Sequence, residues 1–230
     1  MTDLKDDILD AALAHVAFDG WSDATLIAAA GDVGADMAAV RAVFPRGAVD
    51  LAMAFHRRGD AAMLARLAAD DLDGMKIREK ITYAVRLRLE LMDGQNEAVR
   101  RGTTLFALPI HAADGARALW ETADAIWTAI GDNSEDVNWY TKRMTLSGVY
   151  SATVLFWLGD GSEGHMATWA FLDRRIGDVM QVEKLKAQMR QSKVLAPFMA
   201  GPNWILDRIR APTGGVPPDM PGHCGGRDEN

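Results

Sequence analysis

Cysteine is nearly missing from this chain: of 230 residues only Cys224 carries a thiol. A lone thiol closes no intramolecular disulfide, so a stapled secreted scaffold is excluded and a reducing compartment fits. Basic residues are outnumbered, 25 Lys and Arg against 32 Asp and Glu, for a formal charge of −7. That balance argues against a protein whose whole surface binds polyanions. Period-two alternation and internal repeats are also lacking, which removes sheet and solenoid architectures. A long hydrophobic run is lacking too. The fifteen uncharged residues from Met144 to Leu158 fall short of the ~20 a spanning helix needs, and are rich in Ser, Thr and Gly. They read as a helix buried in a globular core. Met1 is followed by Asp3, Lys5, Asp6 and Asp7, neither a secretory signal nor a basic transit peptide. The expected location is cytoplasmic, peripheral on the inner membrane.

Catalytic patterns are scarce. His15, His56, His111, His165 and His223 are scattered, without an HExxH pair, a Glu-x-x-His repeat or a GxSxG elbow. Gly159, Gly161 and Gly164 spell GxGxxG, but an uncharged helix precedes them and Asp160 and Glu163 would repel phosphate, so a helix-to-helix turn is expected. Cys224 lies in a tail that cannot hold a nucleophile in place. A non-enzyme is expected, with neither metal nor cofactor.

What the chain does have is helical periodicity, on an apolar fraction of 49%. Leu4–Phe18 places Ile8, Ala12, Leu13, Val16 and Ala17 on one face. Short helices follow at Thr25–Ala30 and Met37–Val43, and Pro45 opens a longer one to about Ala69. Further helices are expected at Lys76–Met92, Glu97–Leu108 with Gln95 or Asn96 as cap, and Gly115–Ile130. Another, capped by Ser134, contains the uncharged run, and the last spans Met166–Met180. The fold class is all-α.

The start, ILDAAL to Phe44-Pro45 around a tight glycine turn, resembles the DNA-binding module of TetR-type repressors. Residues 1–50 hold three basic residues, Lys5, Arg41 and Arg46, against nine acidic ones, a net −6. Phosphate contacts from cations supply most of DNA affinity. Asp36 also stands where the recognition helix begins. The module is therefore degenerate and no nucleic acid is expected as partner. A TetR-type regulator with a hydrophobic effector is the alternative, and a third is a plain scaffold with a filled interior.

Residues 136–180 carry the informative motifs. NWYTKR (residues 138–143), an uncharged helix, then TWAFLDRRIGDVM (168–180) resemble the signature of the Coq-nine family, lipid-binding accessory proteins of ubiquinone biosynthesis. The likeness extends more weakly over residues 4–182. It implies a TetR-like helical bundle that binds an isoprenoid lipid or quinone precursor and serves the di-iron demethoxyubiquinone hydroxylase. The partner surface it implies comprises Ile126, Asp136, Trp139 and Tyr140. Arg143 joins that patch as a residue type common at interfaces, or else pairs with Asp136 or Asp173. A stripe of Met144, Gly148, Ser151 and Leu155 opposite Trp169, Leu172 and Ile176 is either good packing or a lipid groove, and the resemblance favours the groove. By analogy with TetR relatives, a homodimer forms through about residues 134–180.

Beyond Val182 the charge reverses. Lys184, Lys186, Arg190, Lys193, Arg208 and Arg210 face only Asp207 between residues 184 and 210. Large apolar residues are interleaved. Lys193, Phe198, Met199, Trp204, Ile205 and Arg208 are therefore expected at a membrane surface, on two short helices broken by Pro197 and Gly201-Pro202. The alternative is a helix docked on the core with solvated lysines. Four of the eight prolines fall in residues 211–230, which are expected to be disordered. The chain divides into a degenerate module (1–50), a lipid-binding and dimerisation core (51–182), a membrane segment (183–210) and a tail (211–230).

Overall fold

In the computed structural model the backbone is described for residues 2–191 and the side chains for residues 4–181. Helix α1 spans Thr2–Asp19, α2 Asp23–Asp32, α3 Met37–Val43, α4 Ala48–Ala69 and α5 Ile77–Glu90. Then come α6 Asn96–Phe106, α7 Ala112–Ala129, α8 Val137–Gly159 and α9 Met166–Gln191. Among the described residues there is no strand, and the all-α expectation holds.

Local chemistry sets the boundaries. Ser22 caps α2, its hydroxyl oxygen accepting from the Thr25 amide at 3.2 Å. Helix α4 starts at Ala48 rather than Pro45, because Gly47 takes φ 65° and the Arg46 amide donates to the Asp50 carboxylate at 2.8 Å. Gln95 precedes α6 without a side-chain cap. Ser134 does not cap α8 either. Asp136 does, accepting from the Asn138 amide at 2.9 Å, while the Ser134 hydroxyl donates to Asp132. The GxGxxG stretch is the expected turn between α8 and α9. There Asp160 accepts from the Ser162 amide (2.8 Å), the Thr168 amide (2.9 Å) and the Thr168 hydroxyl (2.6 Å). Those bonds hold its carboxyl well below the usual range, led by Thr168. Helix α9 runs on to Gln191 rather than stopping at Met180.

One core joins all of this. Ile8, Leu9, Ala12 and Val16 of α1 are buried in the same cluster as Trp157 of α8 and Leu172 of α9. Trp21 ties the N-terminal helices down: its indole N–H donates to the Ala98 carbonyl at 2.9 Å, and its ring lies 5.1 Å from that of Phe55. Arg58 pairs with Asp10, and Arg101 donates to the Ala17 carbonyl at 3.0 Å. The central α8 packs against α7 and α9 through Leu146, Val149, Tyr150, Val154 and Trp157. Each large apolar side chain so buried stabilises the fold by roughly 1.5–3 kcal/mol.

Candidate functional site: a cavity, a polar pole and an aromatic ledge

A cavity of about 410 Å³ lies among α4, α5, α6, α7 and α8. Phe55, Leu89, Met92, Val99, Phe106, Leu119 and Val154 supply its bulk, and Ala98, Gly102, Ala107, Ala112 and Gly115 make room. Its size and apolar wall are those of a small-molecule site. Of the seven residues expected to line a lipid groove, only Ser151 and Leu155 reach it. Met144 is 66% exposed, Leu155 57% exposed, and Gly148 opens onto free space. Trp169, Leu172 and Ile176 are buried in the core, with Ile176 lining a second cavity of about 360 Å³. The helical period explains the difference. Helix α8 buries 146, 149, 150, 153, 154 and 157, which turns Met144, Gly148 and Leu155 toward the outside and leaves Ser151 half-buried. The stripe and the α9 trio therefore do not face each other.

Besides Thr103 and Ser151, the cavity wall carries His56 and Arg88, which no sequence motif marked and which Asp60 and Thr122 back from outside the lining. Arg88 Nε donates to Asp60 at 2.7 Å and its second nitrogen to the His56 carbonyl at 2.9 Å. The Thr122 hydroxyl donates to Asp60 at 3.0 Å, and His56 Nε2 lies 3.0 Å from the Ala118 carbonyl oxygen. Gly59 is required here, since a Cβ would stand 2.5 Å from the Arg88 guanidinium carbon. His56 and Asp60, four apart on α4, and Arg88 on an otherwise apolar face of α5 were the available signals. Burial depresses the His56 imidazole below its ordinary value; Asp60 opposes this and Arg88 adds to it. Burial also raises the Tyr150 hydroxyl, which stays protonated at neutral pH.

A lowered His56 has a measurable consequence. Its contribution to stability is complete above the unfolded-state value of about 6.5 and is lost as pH falls toward the folded-state value. The urea midpoint, followed by tryptophan fluorescence, should drop from pH 7.5 to 5.5, and His56→Gln should flatten that part of the slope. An equal slope in the variant would exclude His56 as its source.

At the start of α8 an aromatic ledge forms. The Trp139 ring centre lies 4.8 Å from Tyr140 and 5.7 Å from Trp120, while the Arg143 guanidinium sits 3.9 Å from the Trp139 ring centre. Arg143 is 2% exposed and pairs with Asp124 and Asp132, at 3.1 Å for the latter, not with Asp136 or Asp173. Its reach across the α7–α8 turn selects these partners. Burial raises the Asp132 carboxyl, but bonds from Lys142, Ser134 and Arg143 outweigh it and leave the group below its usual value. Asp136 is exposed and Trp139 and Tyr140 are half-buried. Ile126 is fully buried, because the α7 face that carries it packs into the core. Ile126 and Arg143 thus lie in the interior rather than presenting a surface, with Arg143 stacked against the Trp139 ring.

Lys193, Phe198, Met199, Trp204, Ile205 and Arg208 lie outside the described residues. Among the described residues no three His, Cys, Asp or Glu side chains gather as a metal site, and no helix is long and apolar enough to cross a membrane.

The ledge, α8 and the first turns of α9 are also where the chain meets known sequences. Residues 112–183 match the COQ9 family. That segment contains both NWYTKR and TWAFLDRRIGDVM, and the resemblance to COQ9 proteins is thereby shown. The ubiquinone biosynthesis protein COQ9, mitochondrial, of Drosophila melanogaster is 32% identical over 185 residues, covering 79% of this chain and 56% of that protein. A probable ubiquinone biosynthesis protein coq9 of Dictyostelium discoideum is 27% identical over 196 residues, covering 83% and 64%. Human COQ9 is 26% identical over 196 residues, covering 82% and 61%. The chain spans about three-fifths of the length of these COQ9 relatives. In three dimensions it resembles a TetR transcriptional regulator from Nitrosomonas europaea, with a TM-score of 0.62, 22% identity, and coverage of 76% of this chain and 96% of that one. The fold is TetR-like.

Proposed function

We propose that this COQ9-like chain is a non-enzymatic accessory protein of ubiquinone biosynthesis. It holds an isoprenoid quinone precursor in the cavity between α4 and α8 and presents it to the demethoxyubiquinone hydroxylase at the Trp139 ledge. The observation that carries this is the coincidence, in a COQ9-like sequence, of an apolar cavity of about 410 Å³ with a half-buried aromatic cluster fixed on a buried arginine. Taking a polyprenyl tail out of lipid costs about 0.8 kcal/mol per CH₂, which an apolar protein cavity offsets. The basic stretch 184–210 would keep the chain at the membrane surface. A reconstituted test uses the hydroxylase, vesicles containing its polyprenyl substrate and this chain. Added chain should raise the rate of conversion, and an unchanged rate would refute the reading.

DNA binding is disfavoured by the face that α3 offers. Its exposed residues are Ala38, Arg41 and Ala42, with Asp36 just before them, a single cation where several phosphate contacts are needed.

The outward stripe of α8 fits the homodimer. Met144, Leu155 and Phe156 are exposed, and Phe156 stacks on Phe171 of α9 at 4.6 Å, extending the apolar surface across both helices. A Cβ at Gly148 would meet nothing within 4 Å, so Gly148→Arg leaves the protomer intact while blocking close approach of a second copy. Light scattering should give the mass of a dimer for the native chain and 25.0 kDa for the variant. An unchanged mass in Gly148→Arg would exclude this face.

A further inference from the structure

The second cavity, of about 360 Å³, is walled by α5, α7, α8 and α9, and no residue lines both it and the cavity between α4 and α8. Ile81, Ile130, Leu146, Val149 and Ile176 make it apolar. Trp127, near the end of α7, forms part of the same wall. Its side chain is half-buried, yet its indole nitrogen is closed off from solvent and has no hydrogen-bond partner. A buried donor without an acceptor is unfavourable, and most such groups in folded proteins are paired. The Trp157 indole nitrogen and His165 Nδ1 are unpaired too, but neither residue lines either of these cavities. At Trp127 an unmet hydrogen bond and an apolar hollow coincide.

The charges around that hollow are already committed. Lys142 donates to Asp132 at 2.7 Å and to Ser134 at 2.6 Å, with its ammonium 5.1 Å from the Trp127 ring centre. Asp132 also accepts from Arg143 at 3.1 Å. Arg78, on the exposed side of the wall, donates to the Asp173 carbonyl at 3.3 Å. A guest carboxylate would meet Asp132 and a guest ammonium would meet Lys142, each with little water to screen it. A carbonyl oxygen brings no charge and supplies the acceptor that the indole lacks. The volume, near the lower limit for ligand pockets, suits a molecule of one or two rings rather than a long chain. We infer that this cavity is a second small-molecule site, which takes an uncharged, ring-sized molecule whose carbonyl oxygen accepts from the Trp127 N–H. Because that nitrogen is closed off, the ring must turn toward the guest as the bond forms. The site does not depend on a lipid in the α4–α8 cavity. It lies on a different face of α8 from the ledge, although Asp132 in its wall also holds Arg143, which stacks on Trp139.

Two-dimensional NMR of the isotope-labelled full chain tests it with 1-tetralone and tetralin, which differ by one carbonyl. The Trp127 indole N–H resonance, assigned by its loss in Trp127→Phe, should move saturably downfield with 1-tetralone. Affinities are read from the Leu146 and Val149 amides, both in the wall of this cavity. Trp127→Phe keeps an aromatic wall and removes the donor. It should weaken 1-tetralone roughly tenfold more than tetralin, which carries no acceptor and reports any effect of the smaller ring. An indole resonance in the native chain that stays in place up to the solubility limit of 1-tetralone would overturn the site without recourse to any variant. Equal changes for the two probes in Trp127→Phe would overturn the assignment of the carbonyl to Trp127, and the inference with it.

Discussion

Trp139→Asp should lower the affinity of the chain for the hydroxylase by about a hundredfold or more, the effect of losing a central aromatic anchor. Trp139 is the middle ring of the ledge, in contact with Trp120, Tyr140 and Arg143. An aspartate there removes the ring and adds a fourth carboxylate to a neighbourhood that holds Asp124, Asp132 and Asp136. The loss of the stacked guanidinium contact costs the fold about 0.5–2 kcal/mol, too little to unfold a domain of ordinary stability. Helix content by circular dichroism should therefore be retained while capture of immobilised hydroxylase is lost. Capture at native strength would show that the ledge is not the docking surface.

The second large effect is expected at Arg143. Its guanidinium joins Asp124 at the end of α7, Asp132 in the α7–α8 turn, and the underside of Trp139. Arg143→Met keeps the volume but leaves the nearly inaccessible Asp132 carboxylate with Lys142 as its remaining cation. Removing one partner of a buried ion pair costs about 3–5 kcal/mol, and the Lys142 contact places this case near the lower end. Chemical denaturation should show that loss at neutral pH. The difference from the native chain should shrink below about pH 4, where the unfolded Asp binds its proton. Stability within 1 kcal/mol of native would mean that the Arg143 pairs are incidental.

The helices were legible because their apolar residues recur at three and four. Of the face expected at Ile8, Ala12, Leu13, Val16 and Ala17, Ile8, Ala12 and Val16 are buried, Leu13 is half-buried and Ala17 at its edge is exposed, and Met37–Val43 is bounded as its pattern indicates. Boundaries set by side chains acting at short range were less legible. Ser134 looked like a cap, but Asp136 is nearer the first free amides and wins. The site was harder to read for a different reason. A stripe of small residues marks a place where something approaches closely, without saying whether that is a ligand or another helix surface. On α8 most of the stripe turned outward, since seven of its other side chains, Arg143 among them, face the core. The hollow instead arises where small residues of different helices, Gly102 on α6 and Ala112 and Gly115 on α7, line one space together with Phe55, Met92 and Phe106. Such a juxtaposition depends on tertiary packing, and no single helix period reveals it. The polar pole was hidden similarly, because His56, Asp60, Arg88, Thr122 and Tyr150 come from four helices.

The most direct test of the lipid cavity is native mass spectrometry of the chain purified from cells under mild conditions, followed by release and identification of whatever is bound. A lipid adduct carrying an isoprenoid tail, retained by the native chain and displaced by added decylubiquinone, is the expected result. A spectrum of protein alone, unchanged after incubation with decylubiquinone, would contradict the lipid-carrying role.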